Sequence, residues 1–340
     1  MKNIFFFLDT EKKPSGGRKI IYQYCNYIDS LKNYNSSVVF VEKKKIYKFK
    51  QSIKKKLGLQ EQNYGWKFND LKINKKPNLI WTDYNINVKE NLKFNRKTDF
   101  VILPEIFSHF AENFLIREKI PYAIFVQNGY AIFPSSDYKK INKSYKKAKF
   151  ILSYSKDIND CILTAFPFCK NKILKLVPAI ESTKLYTNKK KQNLITYMPR
   201  KLKKHSELVL LFLKKYLPKS WKVKPIENLN EKAVFQYLKK SKIFLSFSEL
   251  EGLGMPPIEA ALAGNKIIGY TGEAGKEYWK EPVFTEIKNG EIKNFCKCIL
   301  ENLKLKNLKK EKSKIINELS KKYSLENQNL SILNFLKKIN

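Results

Sequence analysis

Apolar residues in this chain gather in runs of four or five, and the runs alternate with segments where they recur every three or four positions. The runs predict buried strands at Ile4–Leu8, Val38–Val41, Leu79–Thr82, Phe100–Leu103, Ala123–Val126 and Phe150–Ser153. Between the first two, Ile20, Tyr24, Tyr27, Ile28 and Leu31 keep helical spacing and predict a helix over Lys19–Leu31. A second series of strands is predicted at Leu194–Met198, Trp221–Val223, Ile243–Phe247, Lys266–Tyr270 and Val283–Glu286. Helices are predicted between them at Ser206–Tyr216, Asn230–Lys240 and Pro257–Ala263. From Gly290 onward the pattern is helical, with a break near Lys322–Leu325. Strand–helix alternation with short connections is the pattern of parallel α/β sheets.

Two such series, separated by the polar segment Ser182–Asn193, predict two domains. The first spans 1–182 and carries a basic insert over about 43–76; the second spans 192–320. The last helix, 321–340, is expected to pack back toward the first domain. In open α/β sheets ligands bind beyond the carboxyl ends of the strands, so a cleft between two such edges is the expected site.

Composition narrows the classes. An apolar fraction of 43% is enough for real cores and excludes a disordered chain. No apolar run approaches the roughly 18–20 residues of a membrane span. Ile4–Leu8 stops at Asp9, short of the roughly 7–15-residue core of a signal peptide. The five cysteines, at 25, 161, 169, 296 and 298, show no CxxC spacing, which argues against a disulfide framework or zinc site and fits a reducing cytoplasm. The net charge is +36, yet only four of the 67 cationic residues are arginines: 18, 96, 117 and 200. Readers of duplex DNA lean on arginine for bidentate base contacts, so no specific nucleic-acid partner is expected. The lysines would still draw the protein to anionic surfaces.

Ile243–Gly264 concentrates the chemistry. A buried strand gives way to a loop with Gly252 and Gly254; Pro256 and Pro257 open a helix and Gly264 closes it. Such a glycine loop before a helix start lets backbone approach an anion and offers it free N–H groups. Glu251 and Glu259 flank the loop. A carboxylate there opposes an anion unless it has polar partners, and vicinal hydroxyls of a sugar or ribose are such partners.

Glu251-x7-Glu259, within Glu-Gly-Leu-Gly-Met-Pro-Pro-Ile-Glu-Ala-Ala-Leu-Ala-Gly, resembles the nucleotide-sugar motif of GT-B glycosyltransferases of the family 4/family 1-like retaining group. The resemblance is clear over about Leu194–Phe284 and mostly topological before it. It implies an α/β architecture of two Rossmann-like domains facing each other across a cleft. It also implies transfer of a sugar from a nucleoside-diphosphate sugar to a hydroxyl, with retention. By this resemblance Glu259 would hold the ribose, and Glu251 the donor sugar's hydroxyls. The Leu253 and Gly254 amides would help hold sugar or phosphate, and Ile226–Leu229, with Glu227 and Asn228, would cradle the base. The family also places an arginine, then a lysine five residues on, after the first strand of the second domain. Here Arg200 fits the first role, but five on is His205 and the lysine is Lys204, with Lys201 competing. No Asp-x-Asp occurs, in keeping with a metal-independent mechanism without cofactor in which fixed cations take up charge on the leaving diphosphate.

In the first half, Pro14-Ser15-Gly16-Gly17-Arg18 resembles the family's glycine loop over donor phosphates and acceptor. Glu105, Gln127 and Asn128 follow strands and are expected to face the cleft; His109 is a candidate contact to the donor sugar. Ile46, Phe49, Ile53 and Leu57 form an apolar stripe among the lysines of the insert, the pattern of a helix lying on an anionic membrane or packing on its own domain. The acceptor implied is a glycan or lipid-linked glycan of the cell surface, reached from the cytoplasm or the membrane's inner face. The alternatives are a non-catalytic polyanion or nucleic-acid binder on the same fold, and an epimerase.

Overall fold

A computed structural model describes residues 1–10, 15–44, 68–75, 77, 84–134, 137–304 and 309–340. The predicted strand at Leu79–Thr82 and the apolar stripe of the basic insert lie outside the described residues. The chain forms two compact units, one of Met1–Val177 with Asn329–Asn340, the other of Pro178–Gln328.

The first unit is built on a seven-stranded sheet: β1 (Lys2–Asp9), β2 (Tyr34–Lys43), β3 (Leu71–Ile73), β4 (Asp99–Pro104), β5 (Tyr122–Phe125), β6 (Phe150–Ser153) and β7 (Ile173–Lys175). The order is β3-β2-β1-β4-β5-β6-β7, parallel except for β3, which runs antiparallel to β2. Ile4–Leu8 are all buried, as strands covered on both faces require. Helix α1 (Gly16–Asp29) buries Ile20, Ile21, Tyr24, Cys25 and Ile28. It starts three residues before the predicted Lys19, because the Ser15 hydroxyl caps the Arg18 N–H and Lys19 N bonds to Ser15 O. Helices α2 (Tyr138–Lys147) and α3 (Lys156–Ala165) follow β5 and β6.

The second unit carries a five-stranded, wholly parallel sheet in the order β12-β11-β10-β8-β9. Its elements are α4 (Ser182–Leu185), β8 (Gln192–Tyr197), α5 (Lys203–Leu213), β9 (Lys222–Pro225), α6 (Glu231–Lys240), β10 (Ser241–Glu251), α7 (Met255–Leu262), β11 (Lys266–Glu273), β12 (Phe284–Glu286), α8 (Ile292–Asn302) and α9 (Lys309–Lys322). A last helix, α10 (Leu325–Ile339), ends the chain. The core packs Ile195, Leu245, Ile268 and Tyr270 from the sheet against Val209, Leu213 and Phe295 from α5 and α8.

The polar segment expected to be a plain linker has structural work instead. Leu185 is fully buried, and Lys191 Nζ donates to the carbonyls of Leu238, Lys239 and Ser241 at 3.1, 3.3 and 2.9 Å. Leu238 and Lys239 lie in the last turn of α6 and Ser241 caps it, so the ammonium stabilises this helix end through both hydrogen bonds and the helix dipole. The short strands β3 and β7 carry no distinct pattern in the sequence; pairing with a longer neighbour makes them strands.

Both sheets reverse their strand order at one point: between β1 and β4 in the first unit, between β8 and β10 in the second. The connections leave in opposite directions there and open a crevice at the carboxyl ends.

Candidate functional site

The crevice of the second unit gathers the glycine-loop motif. β10 runs four residues past the predicted end at Phe247: after an irregularity between Ser248 and Glu251, Glu251 still pairs with Glu273 of β11. Glu251 therefore stands on the end of a strand rather than in a free loop. Gly254 then takes φ 75° and ψ 63° as the residue that opens α7, a left-handed conformation that costs a residue with a Cβ about 1–2 kcal/mol. The buried Tyr278 hydroxyl lies 3.0 and 2.9 Å from the carbonyls of Leu253 and Gly254, and its hydrogen fastens the loop from below. Burial, then Glu251 and Glu277, push this phenol well above its usual range, so it stays a donor.

A helix start normally offers several free N–H groups, but Pro256 and Pro257 in the first turn have none. An anion at this loop would depend on the amides of Gly252, Leu253, Gly254 and Met255. Glu259 is half-buried and lies one turn past Met255 on the open side of α7, whose Pro257, Ile258, Ala260 and Ala261 are buried.

Across the reversal point, the chain leaving β8 carries Arg200 and Lys201. Lys201 Nζ meets Glu251 Oε1 at 2.8 Å, with both side chains partly open to solvent. Arg200 and Lys204 are exposed. His205 is turned inward, its Nδ1 3.2 Å from the Tyr270 hydroxyl. The basic loop and Glu251 are thus neighbours, and the structure joins them through Lys201. After β9, Ile226 N bonds to Tyr197 O at 2.8 Å while Glu227 and Asn228 stay exposed.

Backbone strain gathers on this same edge. Leu202 after β8, Asn228 after β9 and Glu273 at the end of β11 have positive φ of 46°, 53° and 67°, alongside Gly254 after β10. Non-glycine residues held this way cost of order 1–3 kcal/mol each and gather at functional sites. Glu273 also borders a cavity of about 390 Å³ with Glu249, Lys276 and Glu286, beyond the ends of β10, β11 and β12. The sequence offered no sign of this cavity or of the Tyr278 prop; an aromatic after the Gly272–Gly275 loop is the nearest signal.

The crevice of the first unit is a cavity of about 180 Å³ lined by Asp9, Ser15, Arg18, Glu105 and Gln127, among others. Arg18 is buried and ion-paired with Asp9. Gly16 and Gly17 form the first turn of α1 rather than a loop ahead of it. Gly17 lets the Gln127 side chain come close: a Cβ there would lie 2.6 Å from Gln127 Oε1 and push that amide aside, and Gln127 Nε2 donates to Gly17 O at 3.0 Å. Glu105 accepts the backbone N–H groups of Gln127 and Asn128 at 3.1 and 3.0 Å. Its burial outweighs those bonds and pushes the carboxyl up from 4.5 to about 7. His109 is buried with its ring 3.9 Å from that of Phe110, and it is not among the residues lining the cavity. The tight turn over Glu105–Phe110 carries it around to another side.

Among the described residues no group of three or more His, Cys, Asp or Glu is placed to hold a metal ion. No helix among them is long and apolar enough to cross a membrane.

No family's sequence pattern matches the chain, and no curated protein matches it. Solved structures do resemble it. A variant of S. aureus TarM, in complex with Fondaparinux, alpha-GlcNAc-glycerol and UDP, superposes with a TM-score of 0.65 at 14% identity, covering 98% of this chain and 99% of that one. A glycosyltransferase from Rickettsia africae gives 0.64 at 14% identity over 99% and 98%. UDP-GlcNAc 2-epimerase from Neisseria meningitidis, bound to UDP-GlcNAc, gives 0.55 at 14% identity over 99% and 100%. With two parallel α/β units and likenesses that span nearly the whole chain, the fold is GT-B.

Proposed function

We propose that this protein is a glycosyltransferase that moves a sugar from a nucleoside-diphosphate sugar to a hydroxyl, with retention at the anomeric carbon. The observation that carries the reading is the Lys201–Glu251 contact, which sets a basic loop beside the acid-flanked glycine turn at the strand-order reversal of the second unit. In that crevice the ribose diol binds Glu259, the sugar hydroxyls bind Glu251, and the loop amides take a phosphate oxygen. Glu227 and Asn228 border the base. As the bond from the anomeric carbon to the β-phosphate oxygen breaks, its electron pair goes to the diphosphate. Arg200, with Lys201 or Lys204, stabilises that charge in the place a metal ion takes in other designs. The acceptor oxygen forms the new bond to the anomeric carbon and passes its proton to the departing diphosphate oxygen.

The acceptor is proposed to bind the first unit, at the crevice bordered by Gly16, Gly17, Arg18, Glu105 and Gln127. We take it to be a glycan or lipid-linked glycan extended at the inner face of a membrane, in keeping with the lysine-rich charge. His109, held in packing, is given no step.

A thermal-shift screen with UDP-, GDP- and dTDP-sugars tests the reading: stabilisation by one nucleotide series is expected. Salt-labile binding of single-stranded nucleic acid with no nucleotide response would favour a polyanion binder instead. Glu259→Ala and Arg200→Ala should each abolish transfer while circular dichroism stays native, and full activity in either would remove that residue from the mechanism. One observation favours a second reading: Glu105, poised near neutrality in a cavity, suits an epimerase that must exchange a carbon-bound proton. Solvent deuterium entering UDP-GlcNAc without any acceptor would select it.

A further inference from the structure

Helix α5 is apolar on two opposite sides. Its run Leu208-Val-Leu-Leu-Phe-Leu213 has no polar residue. Val209 and Leu213 are 0% and 1% exposed and belong to the core of the second unit. That accounts for one stripe. On the outward side Leu211 is 63% exposed, Phe212 43%, and Tyr216, just beyond the helix, 69%. Leu208 precedes Leu211 by three and Phe212 by four, so the three share one face. Single exposed apolar residues are ordinary, but Leu211 and Phe212 side by side on the outward face of the helix, with Tyr216 just past its end, leave apolar surface open where a contact is expected.

What surrounds the patch says what it contacts. Lys215 follows Leu211 and Phe212 by four and three residues, and Lys214 borders them; both are exposed. Glu207 of the same helix lies 3.7 Å from Lys203. Apolar side chains bordered by lysines are the pattern of a helix lying flat in the boundary of a bilayer, with lysine stems reaching up to the headgroups. A second copy of the chain would bring these lysines against their like, whereas anionic headgroups neutralise them.

We propose that the outward face of α5, centred on Leu211 and Phe212, is where this protein docks on an anionic lipid surface. This deepens the membrane clause of the proposed function and is independent of its chemistry. Charge draws the protein to the bilayer, and the two side chains enter the acyl boundary and hold it there. A net charge of +36 would by itself attract anionic vesicles, so the test must separate insertion from attraction.

The full chain is sedimented with vesicles of phosphatidylcholine and of phosphatidylcholine mixed with phosphatidylglycerol. Binding to the mixed vesicles alone is expected, weakening as salt rises. Leu211→Ser with Phe212→Ser leaves charge unchanged and removes two buried-on-binding side chains, so partitioning should fall about tenfold or more. Equal binding by the double variant would overturn the proposal. Phe212→Trp gives a second readout: a blue shift on adding mixed vesicles supports insertion, and an unshifted emission refutes it. A concentration-dependent dimer in ultracentrifugation, lost in the double variant, would assign the face to self-association and overturn the lipid proposal. Nucleotide-induced stabilisation, measured on the same variants, reports on the transferase reading separately and should be unchanged.

Discussion

Glu105→Gln is the most informative single substitution in the first unit. The wild-type carboxyl is fully buried, accepts two backbone N–H groups, and has its proton affinity raised by burial from 4.5 to about 7. Asp9 and Arg18 border the same cavity, and Tyr145 of α2 is close enough for its phenol to respond to the Glu105 charge. The folded protein holds the Glu105 proton more tightly than the unfolded chain does. The stability this contributes is therefore full below pH about 4.5 and is lost as pH rises through about 7. At roughly 1.4 kcal/mol for each tenfold change in proton affinity, the loss comes to about 3 kcal/mol. Glutamine is neutral at every pH, but its Nε2 cannot accept the second of the two backbone N–H groups, a penalty that does not vary with pH. Relative to wild type it should gain about 3 kcal/mol between pH 4.5 and pH 8. Urea unfolding of both proteins across this range, followed by fluorescence, gives the difference directly. A stability difference that does not change with pH would refute the reasoning, because it would mean the carboxyl ionises as easily folded as unfolded. A difference that turns against glutamine as pH rises would mean that the two N–H bonds outweigh burial.

Two further outcomes concern the donor loop. Tyr278→Phe deletes the hydroxyl that fastens the Leu253 and Gly254 carbonyls; about 1–3 kcal/mol of stability should be lost, and KM for the nucleotide sugar should rise more than kcat falls in steady-state assays. Gly254→Ala puts a Cβ at φ 75° and 3.0 Å from the Tyr278 hydroxyl. It should cost about 1–2 kcal/mol in thermal or urea unfolding and weaken nucleotide binding in titration calorimetry.

Much of the candidate site around the glycine turn was legible because its signals are local. Gly254 and the two prolines dictate a turn into a helix wherever they stand, and the spacing of Glu251 and Glu259 is a chain distance. Glu105 was picked out from its place just after a strand, and Arg200 from the resemblance to the family's basic pair. Tyr278 was missed because the loop it props lies 24 residues away in sequence and nothing in its own neighbourhood marks it. Lys191 was read as linker for the same reason: its partners are the carbonyls at the end of a helix some 50 residues on. Spacing favoured Lys204 over Lys201, but the turn at Leu202 sets Lys201 against Glu251 and His205 against Tyr270 and leaves Lys204 exposed.

The amino-acid sequence by itself determined the α/β class, the order of strands and helices, and the glycine turn, because periodicity and backbone chemistry act over a few residues. Only the tertiary structure decided which charges are paired, which acid is buried deeply enough to hold its proton near neutrality, and which apolar stripe of α5 stays in water. Those depend on desolvation and on groups brought together from far apart in the chain, and no short stretch of sequence encodes them.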